Sequence, residues 1–253
     1  MNAQSAWSAW LLIGVLGCIS PVWADCDNQG TPKAIGIEEP WLENAGYLFA
    51  KNFAGSPGSF ALAPQADIRF SRWVGMEIDL PSWRVTGSRS SSHALGAGLK
   101  VPLIAGCQGS RSPHTFLTAE IEGQYSPQRA PILNGPGNSV TAQVEWAQGA
   151  ETFYEGELGY TKGLGLGAIS GWFLNTSVGR KLGKAVAIQL EFAIDHEDFL
   201  ASGRLGLEGS ILPQIAFHIF PSWLLALGEQ IGWAQSQHKT QWRTWLMVER
   251  EFD

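Results

Sequence analysis

After residue 24 no apolar run in this chain approaches the about 18 residues that a spanning helix needs, which excludes helical membrane domains from that region. Charge is scarce too. Asp, Glu, Lys and Arg make up 16% of the 253 residues, below the ~25% usual for soluble domains. With so little charge and a mean hydropathy of -0.03, the chain hides much of its surface from water. Cysteine is limited to Cys18, Cys26 and Cys107, with no metal-ligand spacing among them. The five histidines are scattered and form no ligand set, so neither a metal nor another cofactor is expected. No basic patch with interleaved aromatics is present, which excludes nucleic acid as a partner. The Gly-rich segment GLGLGAISG (163–171) lacks the Lys and the following helix of a phosphate loop.

What is present is alternation. Val186, Ile188, Leu190, Phe192 and Ile194 point one way, while Ala187, Gln189, Glu191, Ala193 and Asp195 point the other. Trp172, Leu174, Thr176 and Val178 form a matching stripe on the preceding segment, and Arg180 to Lys184 joins the two. The result is a hairpin of long antiparallel strands, each roughly 10 to 12 residues, against a mode of ~5 to 6 in ordinary sheets. A tilted strand of about 9 to 11 residues crosses a bilayer. The same pattern recurs along the chain and predicts strands at 45–54, 58–71, 75–86, 93–104, 114–125, 139–147, 151–161, 170–181, 184–195, 203–220, 222–234 and 240–252. The fold class is therefore all-β, a transmembrane antiparallel barrel of about twelve strands, or ten if the first strand or the Gly-rich region is misread.

Alternation is shared by barrels that are apolar outside and by soluble barrels that are apolar inside. Strand length, low charge, end-placed aromatics and loop asymmetry decide for the first. Phe70, Trp146, Phe220, Trp223 and Phe252 fall at one set of strand ends, and Tyr160, Trp172, Trp233 and Trp242 at the other. With strand one starting in the periplasm, most turns on that side are tight, whereas the longest outer connections are rich in Gly, Pro and Ser.

Residues 1–24 carry no charge and include the apolar run Trp10 to Ile19, followed by Val22-Trp23-Ala24. They read as a secretory signal cleaved after Ala24, with lipidation of Cys18 as the alternative. Residues 25–44 read as a periplasmic N-terminal extension and 45–253 as the barrel. Cys26 and Cys107 then share the oxidising side, which predicts one disulfide closing a loop of roughly 80 residues.

The polar face carries the chemistry. Parity turns Asp67, Glu77, Asp79, Glu120, Glu122, Glu145, Glu155, Glu157, Glu191 and Glu249 inward, against Arg69, Lys100 and Arg243. Such a lumen draws cations. At about twelve strands the bore is narrow, and a water-filled channel is expected rather than one plugged by its own side chains. The enzyme reading has one candidate, Asp195-His196-Glu197-Asp198, with His196 as base in an outer loop; a solvated loop is the plainer reading.

At PQADIRFSRWVGMEIDLP, from Pro64 to Pro81, the chain resembles a family of bacterial outer-membrane transporters associated with the MetA pathway of phenol degradation. Gly98-Leu99-Lys100, the hairpin at Gly179 to Phe192, and Phe217 to Leu227 look like later segments of that family. The resemblance implies a porin-like barrel moving small molecules and brings no catalytic residues. The reading is an outer-membrane channel for passive diffusion of a small solute. Its partners are that solute, outer-membrane lipid and the barrel-assembly machinery, which reads a terminal aromatic; here Phe252 is penultimate. A rim hydrolase and a non-conducting structural or surface-binding barrel are the alternatives.

Overall fold

The period-two stretches fold as antiparallel strands that pair in chain order. In the computed structural model, residues 34–52, 59–86, 89–93, 95–106, 114–125, 138–164, 170–199, 204–220, 222–234 and 239–252 are described. The expected leader, Cys18, Cys26 and Cys107 lie outside these residues. The strands are β1 Ala45–Asn52, β2 Ser59–Arg69, β3 Gly75–Asp79, β4 Ser82–Thr86, β5 Arg89–His93, β6 Leu95–Gly106, β7 His114–Tyr125, β8 Asn138–Gly149, β9 Thr152–Leu164, β10 Ser170–Lys181, β11 Val186–Phe199, β12 Arg204–Phe220, β13 Trp223–Ala234 and β14 Lys239–Glu251.

These make twelve staves. β3 and β4 are one stave interrupted at Pro81, which has no N–H to give to the ladder. Across that break, Leu80 N still donates to the Pro64 carbonyl at 3.0 Å. β5 and β6 form the next stave: β4 pairs with β5 and β3 with β6. β1 pairs with β14 on one side and β2 on the other, so the described strands close into an antiparallel barrel.

The end that holds Asn44 and Phe252 carries tight turns. Phe70 N donates to Val74 O at 3.1 Å, Ala150 N to Thr152 O at 3.1 Å, and Leu182 N to Val186 O at 2.8 Å. Gly149 and Gly183 have φ of 137° and 136°, a left-handed region that other residues enter only with strain.

Side chains sort by face. Ile188 is 45% exposed on the outside and its neighbour Gln189 is 6% exposed on the inside. Ile121, Leu158 and Leu227 join Ile188 on an outer belt. Phe70, Trp223 and Phe252 ring one rim, and Tyr160, Trp172, Trp233 and Trp242 the other. A greasy exterior with aromatic rims around a polar interior is the distribution of a transmembrane barrel, because a soluble one buries its apolar face.

One expectation is corrected. Residues His196 to Phe199 are not a loop: they continue β11, with Asp198 opposite Ser170 on β10 and Phe199 opposite Arg204 on β12. Of the expected N-terminal extension, residues 34–44 are described, and Ile35, Gly36 and Glu38 bond to inward side chains of the barrel.

Candidate functional site: the barrel interior

The inner wall is built by parity. Asp67 on β2, Glu77 on β3, Glu120 on β7, Glu145 on β8, Glu155 and Glu157 on β9, Glu191 on β11 and Glu249 on β14 are all buried there. Asp79 and Glu122 are half-buried on the same face, Arg243 is half-buried, and Arg69 is exposed at the rim. Gly96 and Gly98 on β6 make room for them, since a Cβ at Gly98 would run into the Glu120 carboxylate and one at Gly96 into those of Asp79 and Glu122.

Lys100, 1% exposed, is the focus of this acidic wall. Its Nζ lies 2.7 Å from Glu77, 3.6 Å from Asp67 and 3.8 Å from both Glu120 and Glu38. A buried ammonium is tolerable only with such partners, and the partners depend on it equally. Amides spread the remaining load. Gln143 Nε2 donates to Glu145 at 3.1 Å and Glu120 at 3.2 Å; Gln189 Nε2 donates to Glu155 at 2.7 Å and Ser177 at 2.8 Å.

The opposite wall is apolar. Leu212 and Ala216 on β12, Leu224 and Ala226 on β13, Met247 on β14, and Ala45 and Tyr47 on β1 form one buried cluster, with Ile35 packed into it. Water wets such a wall poorly, so something apolar must cover it.

Residues 34–44 provide the cover, and they cross the bore. Phe252 N donates to Asn44 O at 2.7 Å and Arg69 N to Asn44 Oδ1 at 2.9 Å, fixing the point where the chain turns inward. Trp41 then meets Phe116 edge-on at 5.6 Å between centroids, beside Ala147. Thr118 Oγ1 donates to the Pro40 carbonyl. Deeper still, Glu38 N donates to Glu157 at 3.0 Å, Gly36 N to Glu191 at 3.1 Å and Ile35 N to Gln214 at 3.0 Å. The open water-filled bore expected from the acids alone is therefore occupied among the described residues.

Among the described residues, three carboxylate groupings have the donor chemistry for a hard cation: Glu38/Glu77/Glu120, Glu39/Glu43/Asp67 and Glu43/Glu249/Glu251, each with oxygens within 4.8 Å of one another. In the first, Lys100 already supplies positive charge. In the second, the Tyr47 hydroxyl donates to Glu39 at 3.2 Å and to Glu43.

The residues that sequence reasoning missed are Glu38, Glu39, Trp41, Glu43 and Tyr47, together with the inward apolar set. The side chains of His196, Glu197 and Asp198 fall outside what is described, and Asp195 is half-buried on the inner face of β11.

No family model matches the chain, and no curated protein matches it by sequence. By structure the chain is similar to the KdgM porin (TM-score 0.53, 9% identity), covering 83% of this chain and 99% of that one. The same porin in complex with disordered oligogalacturonate gives a TM-score of 0.52 at 8% identity, over the same shares of both chains. The NanC porin gives 0.59 at 6% identity, covering 82% of this chain and all (100%) of that one. At these identities the likeness is one of fold: a twelve-strand barrel of the outer-membrane porin type.

Proposed function

We propose that this chain is a porin-like outer-membrane channel through which a small solute diffuses passively, along an acid-lined interior that prefers cations. The observation that carries this is the inner wall itself, with eight buried strand carboxylates from Asp67 to Glu249, of which Asp67, Glu77 and Glu120 lie within 3.8 Å of Lys100 Nζ. Carboxylates in a narrow, low-dielectric tube raise the local concentration of cations and repel anions. The fold shared with porins supports the reading, and the family resemblance at Pro64 to Pro81 points the same way. So does the apolar outer belt, whose composition suits contact with lipid.

The solute is not carried over from the fold. One of the similar porins is described with oligogalacturonate, a chain of carboxylate-bearing sugars. An interior rich in carboxylates disfavours such a ligand, so here the shared architecture serves a different charge class. Exported by its leader and stapled through Cys26 and Cys107, the chain would reach the outer membrane by way of the periplasm.

Liposome swelling tests the proposal. Vesicles with purified protein are diluted into isosmotic solutions of a cationic, a neutral and an anionic solute of similar size. Swelling is expected fastest for the cationic solute and slowest for the anionic one. Equal rates, or fastest swelling with the anion, would contradict the charge preference, and no swelling with any solute, from the wild type or from the chain carrying Gly36→Glu and Trp41→Ala, would contradict the channel.

A further inference from the structure

The geometry points to residues 34–44 being a built-in plug, an autoinhibitory segment that closes the bore and must leave its seat before the channel conducts. This rests on the channel reading above and adds a regulatory element to it.

The seat is specific. Backbone N–H groups of Ile35, Gly36 and Glu38 donate to side chains from three different staves, Gln214 on β12, Glu191 on β11 and Glu157 on β9. On the near side, Gln143 on β8 donates to the Glu38 carboxylate at 2.5 Å. The segment is thus held by side chains of four staves between β8 and β12. A Cβ at Gly36 would meet the Glu191 carboxylate, which would have to shift and give up its present place against the segment.

The seat is also separable from the wall. Every bond just named joins the segment to a side chain, and none is a rung of the strand ladder. The barrel closes through β1–β14 and β1–β2 whether or not the segment is in place. Its docking is electrostatically taxed as well, since Glu38 brings a carboxylate to within 4.8 Å of those of Glu77 and Glu120, all three sharing Lys100. The Gln143 hydrogen bond and the 3.8 Å contact with Lys100 offset part of that cost. In a removable plug, the same acid weakens the closed state. Once the segment withdraws, Glu157 and Glu191 lose its N–H donors and face the bore, so closing and ion attraction use the same groups.

Planar-bilayer recording of the full chain tests the inference. Gly36→Glu with Trp41→Ala sets a carboxylate against Glu191 and removes the aromatic contact with Phe116, while touching no stave. Heat-modifiable gel mobility verifies the barrel. Ile35→Cys, added to both backgrounds, reports plug position as one more label from a water-soluble maleimide than the parent chain takes up. The wild-type background is expected to be mostly closed, with the introduced thiol protected. The double variant is expected to conduct at least tenfold more, with that thiol labelled. Equal and measurable conductance in the two proteins would overturn the plug and leave the channel standing. Labelling of the introduced thiol without current would overturn the channel, and the plug with it. If the double variant fails to insert, Gly36→Ala serves alone: a raised open fraction supports the plug and an unchanged one overturns it.

Discussion

The two halves of the inner wall are built on opposite principles. From β2 round to β11 the inward positions are mostly acids, amides and hydroxyls, with Lys100 among them and Phe116, Ala147 and Phe153 as apolar exceptions; from β12 through β14 to β1 they are mostly Leu, Ala, Met and Tyr. The acidic half can face water or counter-ions. The apolar half cannot do so at low cost, and residues 34–44 cover it with Ile35 while sending Glu38 to the other side. A single segment therefore has to satisfy both halves. Parity shows which residues face inward, but the contrast between the halves explains why the bore is filled.

The largest effect is expected where the acidic half depends on one cation. Lys100→Met removes the ammonium that lies 2.7 Å from Glu77 and within 3.8 Å of Glu120. Breaking a buried ionic group in this way costs about 3 to 5 kcal/mol, read as a lower urea midpoint for loss of heat-modifiable mobility. Adding Glu77→Gln should recover part of the loss. If Lys100→Met left the midpoint unchanged, Lys100 would not be the centre of that wall.

An arginine placed at three positions sharpens the contrast between surfaces. Ile188→Arg puts a charge on lipid at mid-strand and should cost about 2 to 4 kcal/mol. Leu212→Arg overfills the apolar half, where typical overpacking costs about 1 to 3 kcal/mol, and it should unseat residues 34–44 more than it disturbs the staves. Gln189→Arg lands beside Glu155, 2.7 Å from the present amide, and should be nearly neutral. Insertion into vesicles and gel mobility give the order; position 189 proving the most damaging would reverse the inside-out assignment.

The fold was legible because strands this long leave period two unbroken, as from Val186 to Asp195, and because the turn residues fall between them. The strand break at Pro81 was present in the sequence but was bridged by the alternation on either side. The acids take their inward positions from the same parity, which set Arg69, Lys100 and Arg243 against them together; Lys100 is buried among the acids, whereas Arg69 is exposed at the rim. The plug was not legible. Residues 34–44 have no period, and Gly36 and Pro40 read as irregular extension. Their partners are distant in sequence, with Gln214 lying 179 positions from Ile35. One signal was available: Ile35, Ile37, Trp41 and Leu42 are too apolar for a free extension among Glu38, Glu39 and Glu43. The apolar half was equally available from parity, had Leu212, Leu224 and Met247 been weighed with the acids. His196 was misread because charge in Asp195 to Asp198 suggested a loop, whereas pairing with both β10 and β12 carries the strand to Phe199.

The smallest change, and the most direct test of the acid-lined channel, neutralises four carboxylates of the acidic half without altering its shape. Glu120, Glu122, Glu155 and Glu157 become Gln, which keeps volume and hydrogen-bonding capacity, and reversal potential is measured under a KCl gradient for both proteins. The wild type should reverse on the cation-selective side, and the quadruple variant should shift toward zero with folding nearly intact. The difference should shrink as salt rises, because screening acts over about 10 Å at 0.1 M. An anion-selective wild type, or a potential that does not move when all four acids are neutralised, would contradict the account.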